Sequence, residues 1–597
     1  MSGLFGTLNI GKSGLFSNQK VINTISHNIA NAETPGYSRQ RAELQTTRPY
    51  TNPSFNGSAE AGQVGTGVEV SQITRIRDTF LDYQVREELG IDGWYSGRDK
   101  FLSEIEGVFN EPSDTGLSSL ISKFFGSWHE LSKQSETSNA RTVVVEQSKA
   151  LTNELNHIYN KIGNVKKNAQ DLIKQTVFDA NKILDQIGQL NQGIIQVSVA
   201  KNNPNDLMDK RDLLLDELSS KFGITIDKKR FNGINVSTEG DTNANTPGGI
   251  NLIQDINPDD VARLAYVSNI EPVLGADGKP VLDAAGDPTY NIEYYKNGDM
   301  TSNENRVEIK NVSLSKEKFM ELDQCRVVWT DKEGNLLDSN GQTQDPTAGN
   351  PPTYPNTASM VKFTPSSGGL KGYMSVQQDV DKYVDQLNKL AKSIAYSVNA
   401  IHGQTDDAAS DTCLFFVNKD NPTGAGEAEI TAGNISINKE IMDNVMLIKT
   451  GKDGGGENDG TRAIEIAQLM DKLMEVQKIT ENTDRKSFIR DLCGGLLPPN
   501  DYGIQTINGK TSGMKVNNYF KDVVDALGVQ TQQAKRVVQN QFIRLQSFEE
   551  SRASVSGVLL DEEMANLVQY QHSYQANSKI IATVDELLDV VINGLKR

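Results

Sequence analysis

Positions 4, 8, 11, 15, 18, 22, 25, 29 and 32 of the chain are Leu4, Leu8, Gly11, Leu15, Asn18, Ile22, Ile25, Ile29 and Ala32. Seven of these nine are apolar, and their steps alternate between four and three residues. That spacing is the seam of a helix packing in coiled-coil fashion. The run stops at Thr34-Pro35-Gly36, where proline disfavours helix at the residue before it and Pro-Gly supplies a turn. The other end of the chain has the same grammar. Leu560, Leu567, Tyr570, Tyr574, Ile581, Val584, Leu588, Val591 and Leu595 keep a 3-4 register, interrupted at Glu563 and Asn577. Each end therefore predicts a long helix with one narrow apolar stripe. Such stripes bury little surface against the entropy of ordering the backbone, so both termini are expected to be mobile alone and to order among neighbours.

More helix is predicted between the ends. From Val144 to Ile194 a register runs through Leu151, Leu155, Ile158, Ile162, Val165, Leu172, Ile183, Ile187 and Leu190, and is polar elsewhere. Asn202-Asn203-Pro204 breaks it, and Asn205–Phe222 reads as a second helix with Leu207, Leu214, Leu218 and Phe222 inward. Further helices are predicted at 117–131, 376–401, 463–476 and 523–548. From about Gly223 to Ser367 short β-type runs (GITI, VEIKNVSL, CRVVWT, MVKFT) alternate with turns such as Asp277-Gly278, Asn297-Gly298 and Asn340-Gly341. The predicted fold is multidomain α+β, with long coiled-coil-like terminal and central helices and an inserted β-rich domain. Its parts are an N-terminal helix in 1–45 packing with a C-terminal helix in 552–597, a mainly helical domain from 46–222 with 368–551, and a β-rich insertion at 223–367.

At 597 residues and a formal charge of -18, the chain has room for several cores and a balance that argues against nucleic acid or an anionic membrane as partner. No apolar run approaches the length of a spanning helix. Cys325, Cys413 and Cys493 are far apart and the five histidines are scattered, so neither a disulfide framework nor a metal site is indicated. The opening MSGLFGTLNIGKSGLF lacks a basic leader region and a cleavage site, and by those signals alone the chain reads as cytosolic.

Gly6–Ser13, GTLNIGKS, matches the phosphate-loop pattern letter for letter. A phosphate loop needs a buried strand before it, and only Met1 to Phe5 precede Gly6. The apolar register also runs straight through the match, from Leu8 to Leu15. A coincidence inside a helix is the expected reading, with a nucleotidase as the alternative it displaces. No nucleophile elbow, zinc-protease motif, calcium loop or separable acid/base pair is present, so no catalytic, cofactor-binding or metal residue is assigned and the chain is read as a non-enzyme.

ISHNIANAETPGYSRQRAEL (Ile25–Leu44) closely resembles the N-terminal motif of the bacterial flagellar axial proteins, the rod, hook and hook-associated family. Asn28, Asn31, Thr34, Pro35, Gly36 and Tyr37 are the motif positions. VGTGVEVSQITRIRDTFLDYQVREE (Val64–Glu88) resembles the segment that follows it. SVSGVLLDEEMANLVQYQHSYQANSKIIATVDELLDVVINGL (Ser554–Leu595) resembles the family's C-terminal motif. NDLMDKRDLLLDELS (Asn205–Ser219) and Gly368–Gln404 are similar to the members that form the junction between hook and filament, rather than to a hook or distal-rod protein, which remains the alternative within the family. The resemblance implies a structural protein that leaves the cell through the flagellar export apparatus without a cleaved signal and resides in the extracellular flagellum. It implies a ring of copies of the chain beneath a distal cap, contacts with the hook protein and a second junction protein, and a cytosolic export chaperone on the C-terminal region. It places the terminal seams, Leu4, Leu8, Leu15, Ile22, Ile25 and Ile29 with Leu560 to Leu595, in the assembled axis.

Overall fold

The computed structural model describes residues 3–49, 65–111, 113, 116–239, 247–276, 279–347, 351–354, 360–411 and 413–594. The chain divides into two compact units: Met1–Trp94 with Lys174–Lys371 and Gln539–Arg597, and Tyr95–Ile173 with Gly372–Val538.

The helices are α1 (Leu4–Ala30), α2 (Thr79–Phe109), α3 (Leu117–Lys133), α4 (Ser138–Val199), α5 (Asn205–Lys221), α6 (Lys316–Cys325), α7 (Gly368–Gly403), α8 (Thr461–Gln468), α9 (Val516–Ser556) and α10 (Leu560–Asp589), with short turns of helix besides. The register read from Val144 to Ile194 thus belongs to a longer helix, α4. The helix expected at 463–476 ends at Gln468, and α2 was not anticipated as a helix at all.

The second unit has a continuous core. Leu151, Leu155, Ile158, Ile162 and Val165 of α4 are buried with Phe124, Phe125 and Trp128 of α3 and Leu387, Leu390 and Ile394 of α7. Trp128 meets Phe415 at a 5.2 Å ring separation and Phe124 at 6.4 Å, both edge to face, the geometry aromatic quadrupoles favour. Arg485 is fully buried between Asp411 (2.9 Å) and Glu427 (2.7 Å). Burial pushes the Glu427 carboxyl up from its usual range, against the pull of Arg485 and Asn399.

The first unit carries most of the β structure. Strands β3 (Ile224–Lys228) and β4 (Ile234–Thr238) form a hairpin. A five-stranded sheet has the order β8-β5-β6-β7-β9, built from β5 (Arg263–Pro272), β6 (Thr289–Tyr295), β7 (Arg306–Ser313), β8 (Val327–Thr330) and β9 (Thr353–Tyr354). Its pairs are antiparallel except β7 with β9. Val267, Ile292, Tyr294, Val307 and Ile309 make its buried face, with Leu322 of α6 in the same core. Asn297-Gly298 and Gly341 take the left-handed conformation that their turns require. Asp277-Gly278 falls outside the described residues.

Candidate assembly site

Antiparallel α1 and α10 pair closely, and the first contacts are made by residues without bulk. A Cβ on Gly14 would stand 2.7 Å from Asn577 Oδ1, and one on Gly11 3.3 Å from Ile581. Glycine at these two positions is what allows the helices so near. The buried positions of α1 are Gly11, Gly14, Ser17, Asn18, Val21, Thr24, Ile25 and Asn28. On α10 they are Glu563 and Val584 alone.

The sequence-derived seam is therefore displaced on α1. Of its apolar residues only Ile25 is buried, with Gly11 and Asn18 of the same register; Leu4, Leu8, Leu15, Ile22 and Ile29 are half-buried. The reason is a second neighbour. The hairpin β1–β2 (Gln40–Thr46 with Val68–Arg75) lies on another side of α1, where Ser17 Oγ donates to the Val68 carbonyl (3.0 Å) and the Val68 N–H donates to Ser13 Oγ (3.2 Å). With two neighbours to serve, α1 turns its small and polar residues inward and its large apolar ones to the flanks. On α10, Leu567, Tyr570, Tyr574, Ile581 and Leu588 are half-buried and Val584 is buried. Leu560 and Val591 are exposed, and Leu595 lies outside the described residues.

The two apparent interruptions of that register turn out to be its anchors. Asn577 sits against Gly14, as above. Glu563, 2% exposed, accepts from Arg39 Nε (2.7 Å) and Asn28 Nδ2 (3.0 Å). Asn28 uses its whole amide: Nδ2 also donates to the Gln40 carbonyl (2.9 Å), while Oδ1 accepts from the Gln40 N–H (3.0 Å) and the Tyr37 hydroxyl (2.8 Å). Full satisfaction is what makes a buried amide tolerable. The motif residues between them build the reversal. Asn31 ends α1, its Oδ1 accepting from Thr34 Oγ1 (3.3 Å), and the Thr34 N–H donates to the Asn31 carbonyl (2.9 Å). Gly36, at φ +77°, supplies the left-handed turn and lies against Leu213. Thr34 and Pro35 are exposed. Burial, with Asp206, Asp209 and Glu563 nearby, raises the Tyr37 hydroxyl well above its ordinary pKa, so it remains a donor.

Behind this turn lies a charged layer that periodicity gave no sign of. Ser38 donates to Asp209 through N–H (3.0 Å) and hydroxyl (2.8 Å). Arg75 bridges Asp209 (2.9 Å) and Asp212 (2.6 Å), Arg77 holds Asp82 (2.8 Å), and Arg86 and Arg552 share Asp216 (2.7 and 2.6 Å). On α5 the inward residues are accordingly Met208, Arg211, Asp212, Leu215 and Leu218, while Leu207 and Leu214 are only half-buried, against expectation. Burial alone would raise the Asp212 carboxyl, but Arg77, Arg75 and Arg86 outweigh it and hold it at about 2. The acidic residues are individually unremarkable in sequence; only the arginines of β2 and α2 across from them make them interior.

Gly6 to Ser13 lie within α1, with no strand before them among the described residues. Lys12 is exposed and stands over the Phe16 ring at 5.8 Å. Among the described residues no group of three or more His, Cys, Asp or Glu is placed to hold a metal ion, and no helix is long and apolar enough to cross a membrane.

What the pair of helices leaves open is as distinctive as what it closes. Leu560, Met564, Val568, Ile580, Leu587, Val590 and Val591 at the C-terminal end are 43–63% exposed, and Phe5 and Phe16 of α1 are 68% and 56% exposed. Single exposed apolar residues are ordinary; a series along one helix pair marks an interaction surface.

Known proteins resemble the chain at both ends and in the middle. The family model described as Flagella basal body rod protein matches residues 8–37, and Flagellar basal body rod FlgEFG protein C-terminal matches 550–594. Flagellar hook-associated protein FlgK helical domain matches 102–262. Flagellar hook-associated protein 1 of Bacillus subtilis (strain 168) is 29% identical over 602 residues, covering 100% of this chain and 99% of its own length. The protein of the same name from Salmonella typhimurium is 24% identical, covering 98% and 99%. A solved structure, the flagellar hook junction protein FlgK from Burkholderia pseudomallei, is 12% identical with a TM-score of 0.49, over 79% of this chain and 100% of that one.

Proposed function

A structural component of the bacterial flagellum, similar along its whole length to hook-associated protein 1, the chain acts, we propose, at the junction between hook and filament by packing its terminal helices against those of further copies in a ring. The carrying observation is the open apolar face of α10 beside an internally anchored pair. Asn28, Arg39 and Glu563 fix α1 on α10 within one chain, so the exposed Leu560, Met564, Val568 and Ile580 are free to meet a neighbour. Burying each such side chain is worth about 1.5–3 kcal/mol. That supports assembly driven by neighbours, with the half-buried seam residues closing as the ring forms.

The role is structural, with no catalytic step. The chain leaves the cell through the flagellar export apparatus and comes to lie in the extracellular axis, beneath a distal cap during assembly and between the hook protein and a second junction protein. A cytosolic chaperone covers the C-terminal apolar face before export. The terminal helices complete their packing only in the ring, and the five-stranded sheet within the 223–367 insertion lies outside the axial layer of terminal helices.

Val568→Asp with Ile580→Asp tests this. Both side chains are exposed in the single chain (49% and 43%), so the variant folds and is exported. It is expected to be missing from isolated hook–basal bodies, in cells that no longer swim. Normal incorporation and motility would overturn the proposal.

A further inference from the structure

The β3–β4 hairpin of the first unit ends in Lys228-Lys229-Arg230-Phe231-Asn232, all exposed. Lys229 is paired with Asp227, but among the described residues Lys228 and Arg230 make no ion pair. On a chain of net charge -18 this is a local cationic point. It is also built in a costly way. Phe231 (φ +56°, ψ +36°) and Asn232 (φ +58°) both take the left-handed conformation, closing a tight turn in which the Gly233 N–H donates to the Arg230 carbonyl (3.1 Å). Such turns favour Asn and Gly; a bulky residue there is strained. Phe231 is not part of a buried core, being 53% exposed.

The strained tip is nevertheless held firmly from behind. Arg211 donates to the Asn232 carbonyl (2.7 Å) and to Asn191 Oδ1 (2.9 Å), which also accepts from the Ile234 N–H (3.0 Å). Asn232 Nδ2 reaches Ser198 Oγ (3.1 Å). An aromatic ring flanked by free cations and fixed in place before binding has the character of an interface anchor.

The first turn of α10 offers the complement. Leu559 (51%), Leu560 (47%) and Met564 (50%) are exposed around Asp561 and Glu562, also exposed. Glu562, itself 54% exposed, is paired among the described residues only with the half-buried Arg39 (3.0 Å), whose closer bond is to Glu563, and an ion pair with one side in water is worth little. We propose that the Lys228–Phe231 tip of one copy docks on the Leu559–Met564 turn of the next, Phe231 among the apolar side chains and the cations against Asp561 and Glu562. Two different patches meeting head to tail is the contact type that closes into rings, and opposite charge selects the register. This deepens the ring reading above and rests on it.

The test uses full-length chains in cells lacking the native copy. Reversing the tip (Lys228→Glu, Lys229→Glu, Arg230→Glu) is expected to leave export unchanged and to lower recovery in hook–basal bodies at least tenfold. Adding Asp561→Lys and Glu562→Lys to the same chain restores recovery, because every copy then presents both reversed faces. Unchanged incorporation of the reversed tip, or loss without recovery in the combined chain, overturns the proposal. If Val568→Asp with Ile580→Asp still blocks incorporation, only this contact has failed and the ring reading stands. Phe231→Gly relieves the turn and should raise the melting temperature of the purified monomer while lowering incorporation; a fall in both would show the phenyl serving the fold and likewise overturn the proposal.

Discussion

Trp128 and Val568 both stand on long amphipathic helices, and they meet opposite fates. Trp128 is fully enclosed by Phe124, Phe415 and the rest of the second unit's core, while Val568 is about half open to solvent. In the second unit, apolar stripes from α3, α4 and α7 close on one another, and the buried Arg485 has two carboxylates of its own. In the terminal pair, glycine, asparagine and a single buried glutamate share the buried positions with Val21, Ile25 and Val584, and most of the other large side chains are left half-buried or exposed. A core of the first kind is finished within the chain. An interface of the second kind fixes two helices in register while withholding its apolar surface for something else.

The contrast is broken most forcefully by removing bulk where the core is closed. Trp128→Ala is expected to destabilise the second unit by about 3–5 kcal/mol in a urea melt, the usual cost of emptying an aromatic site, whereas the exposed Val568 and Ile580 tolerate aspartate in the monomer with little change. Comparable losses for both would mean that the terminal face is core after all.

Acid sharpens the same difference at a smaller scale. His402 of the second unit is fully buried, donating from Nδ1 to the Cys413 carbonyl (3.1 Å) and accepting the Lys449 N–H at Nε2 (3.0 Å). Burial, with Lys449 and Arg462 adding to it, pushes its pKa down to about 3. The unfolded chain therefore takes up the proton first, and stability falls as pH drops below about 6.5, by up to ~1.4 kcal/mol per unit. Asp212 of the first unit behaves differently: held at about 2, it contributes fully above about pH 4 and loses its roughly 2 kcal/mol only between about pH 4 and 2. Melts between pH 7 and 4 should slope for the native chain and flatten for His402→Gln; equal slopes would remove His402 from the account.

The smallest effect belongs to the terminal pair itself. Asn28→Ala strips Tyr37, Gln40 and Glu563 of a shared partner and is expected to cost about 2 kcal/mol. Hydrogen exchange should quicken in α1 and α10 and stay unchanged in the second unit. Protection that survives in both helices would show that the apolar flanks, not the polar anchor, hold them.

Much of this was legible in advance. Leu151 to Val165 keep their register and are buried as that register requires, and the 3-4 spacing from Leu567 to Leu588 marks the side of α10 that turns toward α1. The terminal motifs pointed to a flagellar axial protein, and the relatives bear that out. What the local pattern does not show lies where a helix has two neighbours or where charges pair across distant segments. Leu15, Ile22 and Ile29 keep the 3-4 register of α1 and are half-buried in the single chain, while Gly14, Val21 and Asn28 are buried because β1–β2 claims another face of the helix. The sequence marks neither Asp209 nor Asp212, and Arg75, Arg77 and Arg86 draw them inside.

By itself the sequence determined most of the long helices and which of them carry a single apolar stripe, though not α2 or the early end of α8, because period and turn chemistry are local properties of the backbone. Only the tertiary structure decided what each stripe faces. That choice depends on which distant surface arrives: the close approach that Gly11 and Gly14 permit, and the carboxylate that Arg39 and Asn28 must share. Those are contacts across more than five hundred residues, and no local pattern encodes them.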